Sequence, residues 1–162
     1  MASEGFRSGV AGIIWERKYF PQEIDPIRYV VFHRINPWLG WSILKGKKGG
    51  KTEKRALIDE LRQEARIKYR DILGLERMDG LRIKYEFPDA REKAYKCIGQ
   101  NHQVFSVQVR PDTPIRVDHI EHDSYYWTWA EKAKRMLRFE EHKTALEKTD
   151  EYIRKKLGIR KL

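Results

Sequence analysis

The sequence predicts an α+β domain of layered α/β/α type, and three observations lead there. Strand-like runs occur on both sides of one central amphipathic helix, so the chain builds sheet before and after it. That helix follows a glycine-rich, lysine-rich stretch, Gly46-Lys-Lys-Gly-Gly-Lys-Thr-Glu53. A second amphipathic run closes the chain and stops at a glycine. Strands flanking a central helix, with a terminal helix beyond them, can bury their apolar faces only in layers.

Taken in order, Val10 to Trp15 is a short apolar run suited to a buried strand. Pro21 to Pro26 then breaks the chain before Tyr29-Val-Val-Phe-His-Arg34 forms a second strand. After the Asn36-Pro37 turn, Trp38 to Leu44 reads as a third extended segment, delivering the chain to the basic loop. Thr52 is placed to cap a helix over Lys54 to Ile67 that contains no proline. Gly74 and Gly80 punctuate a connection into Leu81 to Phe87, whose strict alternation marks a half-buried strand. Pro88 to Lys93 is a charged turn, and Gln103 to Val109 is a strand with Phe105, Val107 and Val109 on one face. Tyr125 to Trp129 is another strand, and Ala130 to Leu137 begins helically. Phe139, His142, Leu146, Ile153 and Leu157 lie close to one face of a last helix, with Gly158 as its stop.

Residues 1–162 read as a single domain, since that length leaves room for one core. One cysteine, Cys97, excludes a disulfide framework and a cysteine zinc site. No apolar run approaches the roughly 18 residues of a membrane span, and no signal-peptide core stands at the N-terminus. The expectation is a cytoplasmic chain that does not enter a membrane. A formal charge of +10 predicts attraction to RNA, DNA or nucleotide phosphates. A charged fraction of 36% is equally the mark of a heavily solvated, thermophile-like surface.

On the central helix Glu60, Gln63, Glu64 and Ile67 sit at i, i+3, i+4 and i+7 and are expected to share a face, with Leu57, Leu61 and Ala65 on another. Two carboxylates one turn apart, beside a loop of lysines and free N–H groups, suit Mg2+ or Mn2+ held against a polyphosphate. Read without that loop, the same pair is an ordinary acidic helix face.

The stretch resembles the box of the Nudix hydrolases, G-x5-E-x7-R-E-U-x-E-E-x-G-U with U a bulky aliphatic residue. Gly46 stands at the first glycine, Glu53 at the next glutamate, Glu60-Leu61 at E-U, Glu64 at the last glutamate and Ile67 at the final aliphatic position. The spacings around Glu53 differ, and Asp59, Gln63 and Arg66 replace the family's Arg, Glu and Gly. The resemblance implies a mixed sheet packed between helices, with metal on Glu60, Glu64 and, through the carbonyl of its amide, Gln63.

Three further segments resemble the branch that acts on RNA 5′ ends and dinucleoside polyphosphates. Gly5-Phe-Arg7 is similar to its N-terminal G-Y-R, which implies Arg7 on substrate phosphate. Cys97-Ile-Gly-Gln100 is similar to its entry to a central strand, which brings in Gln100. Glu121-His-Asp-Ser-Tyr-Tyr-Trp127 is similar to E-F-D-x-W-x-W, which implies Glu121 as a metal ligand outside the box. Phe139 is similar to an aromatic that stacks a terminal base, with Glu140 where a phosphate-binding lysine stands. Lys45, Gly46, Lys47 and Lys48 would meet phosphate. Without the resemblance, these residues are a solvated arginine, a turn, a polar loop and a core aromatic.

Two functions remain open on the sequence. One is a Mg2+-dependent pyrophosphohydrolase of a nucleoside-diphosphate-linked substrate, such as an RNA 5′ end or a dinucleoside polyphosphate, with Glu60 and Glu64 catalytic. The other is an inactive Nudix-like module that binds RNA or a ribonucleoprotein, favoured by Gln63 and the positive charge.

Overall fold

A computed structural model describes residues 5–19, 25–87 and 97–160. The expected break at Pro21 to Pro26 lies partly outside these residues, and the charged turn at Pro88 to Lys93 lies wholly outside them. Among the described residues seven strands form one sheet: β1 (Phe6–Arg17), β2 (Ile27–Arg34), β3 (Gly40–Ser42), β4 (Leu44–Lys47), β5 (Ile72–Glu86), β6 (Gly99–Val109) and β7 (His122–Thr128). Helix α1 (Glu53–Ala65) lies between β4 and β5, and α2 (Ala130–Met136) and α3 (Glu140–Leu157) follow β7.

The central strand β1 runs parallel to β6 along its whole length. Its other edge is shared between two partners, β2 at Trp15 to Arg17 and β4 at Gly9 to Gly12. After Tyr29, β2 leaves β1; it pairs with β7 from Tyr29 to Arg34 and with β3 from Phe32 to Arg34. The sheet is therefore split, and the split opens beside β4.

Both faces of β1 are covered, which is why its apolar run is continuous. Val10 and Ile14 join Phe32, Leu44, Leu57, Leu61 and Val107 in the core under α1. Ala11, Ile13 and Trp15 point the other way, into a core with Tyr29, Val31, Ala133, Leu146 and Ile153 under α2 and α3. The period-2 alternation of one strand thus feeds two cores, giving the three layers. Complete burial of Leu57 and Leu61 stabilises the α1 layer by about 1.5–3 kcal/mol each.

Helix α1 starts where expected. The Thr52 hydroxyl accepts the Arg55 N–H at 3.2 Å, and Glu53 stands in the first turn. Its C-terminus closes with Arg66 in the left-handed region at φ 58°, and the Ile67 N–H donates to the Leu61 carbonyl at 3.0 Å. This is a Schellman closure, whose left-handed residue is usually glycine because a Cβ is strained there. The glycine of the resembled box and the Arg66 of this chain thus occupy a position with a backbone reason. The closure also corrects one expectation: Ile67 does not share the glutamate face but turns into the core beside Leu57 and Leu61.

Two other expectations change. Gly74 and Gly80 do not delimit a connection; β5 runs from Ile72 to Glu86 through both, with register irregularities between Ile72 and Gly74 and between Arg77 and Arg82. Pairing with β6 on either side outweighs the local glycine preference, and Gly80 absorbs its irregularity at positive φ. The extended run from Trp38 divides into β3 on β2 and β4 on β1, so Gly46 and Lys47 are strand residues and the loop proper begins at Lys48.

Candidate active site

The split in the sheet is the mouth of a cavity of about 690 Å3, lined from five strands and two helices or their caps. Its acidic end is built by α1 and by the residue just before β7. Glu60 and Glu64 flank the buried stripe of Leu57 and Leu61, Gln63 stands farther round the helix, and Glu121 lines the same cavity from the residue before β7. Burial, together with the charges of Glu64 and Glu121, pushes the Glu60 carboxyl up to about 7, although Arg34 and Lys51 pull the other way. At Glu64 the nearby His122 ring pulls the carboxyl down, but burial, Asp118 and Glu121 outweigh it and the net shift is upward. Arg34 Nη2 lies 3.7 Å from Glu121 Oε2.

Gly46 on β4 lies directly beneath Glu60, and a Cβ there would run into the Glu60 side chain. The glycine lets helix and strand approach closely enough for the carboxylate to reach the cavity. Asp59 holds the loop to the helix. It is 8% exposed, bonded to Lys51 Nζ at 2.7 Å and paired with Arg55 Nε at 3.2 Å. The hydrogen bond from Lys51 holds its carboxyl below the usual range. Glu53 does not reach the cavity; it pairs with Arg77 on β5 at 2.9 Å.

The other end is aromatic and cationic. Lys45 Nζ lies 5.0 Å from the Tyr85 ring centroid and 5.8 Å from that of Trp38, which the Arg34 guanidinium also approaches, at 5.3 Å. Phe139 meets Trp38 edge-on at 4.7 Å and His142 at 5.5 Å. Burial, reinforced by Arg34, brings the Lys45 ammonium down to about 7, and Glu141 only partly offsets this. His102 lies under Gly9 and stacks on Tyr85; burial and then Lys45 hold its ring at about 3, so it is neutral. Burial lowers His142 as well. Arg7, Lys47 and Gln100 complete the wall, and Gln100 Oε1 accepts the Tyr85 hydroxyl at 2.6 Å.

The surroundings of this cavity can be set beside known proteins. No family model matches the chain, and no curated protein does. Solved structures do. A Listeria monocytogenes protein described as a NUDIX hydrolase superposes with a TM-score of 0.72 at 18% identity, over 95% of this chain and 98% of that one. The E. coli dihydroneopterin triphosphate pyrophosphohydrolase gives 0.69 at 17%, over 88% and 95%. A C. elegans Ap4A hydrolase gives 0.68 at 17%, over 91% and 97%.

The chain has the Nudix hydrolase fold.

Within that fold the expected site residues divide. Glu60, Gln63, Glu64, Glu121, Arg7, Lys45, Gly46, Lys47, Gln100 and Phe139 all line one cavity. Lys48 does not line it; its backbone N–H bonds to the Ser8 carbonyl at 3.1 Å. Arg34, Trp38, Tyr85, His102 and His142 line the same cavity without having been singled out as site residues from the sequence. An arginine ending an apolar strand-like run was the available signal for Arg34, which the structure buries. The two histidines and Tyr85 offered none, since each looked like a strand or helix residue of the core.

Proposed function

We propose that this chain is a divalent-cation-dependent pyrophosphohydrolase acting on a nucleoside diphosphate linked to another group, with dinucleoside polyphosphates and RNA 5′ ends as the leading substrates. One observation carries the reading: Glu60, Glu64 and Glu121 share a single cavity with Arg7, Arg34, Lys45, Lys47 and Lys51. The donor set suits a hard cation such as Mg2+ or Mn2+, because Glu60, Glu64 and Glu121 bring three carboxylates to one cavity, where burial first and the neighbouring charges next raise the Glu60 carboxyl to about 7. Glu60, Glu64 and Glu121 would hold the ion, which when bound supplies a Lewis acid for phosphoryl oxygens and a more acidic water.

The rest is the work of the chain itself. Arg7, Lys51 and Lys47 line the cavity where they can balance phosphate charge. Arg34 orients Glu121. A phosphate beside Lys45 favours its protonated form, so substrate itself restores the charge that burial removes. Trp38, Tyr85 and Phe139 give a base π-faces and edges to pack on. The solved neighbours support the class, since one is an Ap4A hydrolase and another a pyrophosphohydrolase of dihydroneopterin triphosphate.

The second reading, a module that binds RNA or a ribonucleoprotein without turnover, rests on Gln63, an uncharged amide on the metal face. Hydrolysis of dinucleoside polyphosphates and 5′-triphosphorylated RNA, followed with and without Mg2+, separates the two. We expect Mg2+-dependent turnover, and Gln63→Glu to raise Mg2+ affinity several-fold, about one added carboxylate's worth. No turnover by either protein would leave the module reading, and single-stranded RNA binding with a steep salt slope, about 0.7 per phosphate neutralised, would support it.

A further inference from the structure

Behind the cavity wall, Glu64 has a second set of neighbours. Asp118 precedes β7 by a short loop and His122 opens that strand; neither lines the cavity that Glu64 lines. One ligand atom from each of Glu64, Asp118 and His122 lies within 4.8 Å of the others. His122 is 2% exposed, and neither of its ring nitrogens has a hydrogen-bond partner. Glu64 Oε2 is buried and equally without one, and it lies 3.6 Å from His122 Nδ1, beyond hydrogen-bond length.

Leaving a buried polar group unsatisfied costs about 1–3 kcal/mol, so two facing orphans, an imidazole nitrogen with its lone pair and a carboxylate oxygen, call for a common partner such as a cation. The ring cannot swing away, because Phe32 packs against it at 5.6 Å between centroids. Asp118 is held just as firmly. Its Oδ1 accepts the N–H groups of Ile120 and Glu121 at 3.0 and 3.1 Å, with that of His122 at 3.5 Å, so the carboxylate is fixed in place beside Glu64. Asp118 is half-buried, so an ion can reach it from solvent without passing through the cavity.

We propose that Glu64, Asp118 and His122 form a second cation site, distinct from the carboxylate set in the cavity and selective for Zn2+. The donor chemistry sets the selectivity. An imidazole with two carboxylates is a zinc donor set, whereas Mg2+ prefers oxygen and retains its waters. Tetrahedral zinc with bonds of about 2.0–2.1 Å places its ligand atoms about 3.3 Å apart, close to the His122–Glu64 separation already present. Three protein ligands leave the fourth position for water. Glu64, with two oxygens, then links this site to the cavity, so that zinc fixes the carboxylate facing the substrate. This site does not depend on the proposed hydrolysis.

The test uses the full chain stripped of metal and titrated with Zn2+ alone. In a protein labelled with 15N-histidine, Zn2+ should shift one ring-nitrogen resonance, the one that disappears in His122→Asn. Zn2+ affinity, measured by chelator competition, should fall roughly 10- to 100-fold in both His122→Asn and Asp118→Asn, with Mg2+ affinity unchanged. Asp118→Asn keeps an acceptor for the loop N–H groups, so it reports even where His122→Asn fails to fold. Zn2+ that binds without moving the ring resonance, equal affinity in the variants, or no Zn2+ binding would each overturn the proposal and leave His122 as a packing residue under Glu64. A chain that binds Zn2+ through His122 yet hydrolyses nothing would keep this site and remove the proposed function.

Discussion

The two ends of the cavity hold groups of opposite charge under the same constraint. At the acidic end Glu60 is lifted to about 7, and at the aromatic end Lys45 is lowered to about 7. Desolvation leads in both, and each is worsened by neighbours of its own sign: Glu64 and Glu121 for the acid, Arg34 for the base. The difference lies in how the ends are built. The acidic end rests on one helix turn and one loop residue, so its spacing is local. The cationic end gathers Lys45 from β4, Trp38 from the turn after β2, Tyr85 from β5, His102 from β6, and Phe139 and His142 from the start of α3. A site that separates charge this way is strained when empty and relieved by a ligand that brings a cation to one end and phosphate to the other.

The largest effect should come from breaking the acidic end. Glu64→Gln is expected to lower turnover of a dinucleoside polyphosphate by about a hundredfold or more, measured as kcat at saturating Mg2+. Lys45→Gln should instead act mainly through KM, and a similar loss of kcat in both variants would mean that the ends do not have separate roles.

Two glycines test the ends through packing. Gly9→Ala drives a Cβ into His102 and into the Gly46 carbonyl, so it should cost about 2–3 kcal/mol in a denaturant melt because backbone must move. At Gly46 the three atoms nearest an added Cβ all belong to the Glu60 side chain. Gly46→Ala should cost less stability but weaken Mg2+ binding by about tenfold, since Glu60 turns away. Equal effects on melting and Mg2+ affinity would erase the contrast.

The pH dependence of stability should have opposite slopes at the two ends. The Glu60 carboxyl is above its ordinary 4.5, so its ionisation costs stability progressively as pH rises from 4.5 through about 7. Glu60→Gln should therefore stabilise at pH 8 and do little at pH 4. The Lys45 ammonium is below its ordinary 10.5, so its cost is full below about 7 and disappears as pH rises toward 10.5. Lys45→Gln should stabilise at pH 6 and do little near pH 10. Each gain should be about 1–2 kcal/mol after allowance for solvent screening, read from melts across the range.

The smallest change should leave both ends alone. Arg66→Gly removes the Cβ strain at φ 58° and should stabilise the fold by about 1 kcal/mol in thermal melts, without altering Mg2+ affinity. A destabilised Arg66→Gly would mean that the arginine side chain contributes more than the strain costs.

What the sequence determined by itself is the local part. The Thr52 cap, the burial of Leu57 and Leu61 with Glu60 and Glu64 at the edge of that stripe, the glycine stop at Gly158 and the alternation of the β6 residues follow from helix and strand periods, which act over a few residues. Layered α/β/α packing followed from the order of those elements. Tertiary structure decided the rest. Ile67 entered the core because the Schellman closure reverses the chain after Arg66, and β5 ran through two glycines because β6 supplied its hydrogen bonds. The split of β1's edge between β2 and β4 opened the cavity and set Trp38, Tyr85, His102 and His142 around Lys45. It also placed the Glu64 of α1 against the His122 of β7. Contacts between residues this far apart in the chain depend on strand register and on which edge a strand joins, and no local period encodes either.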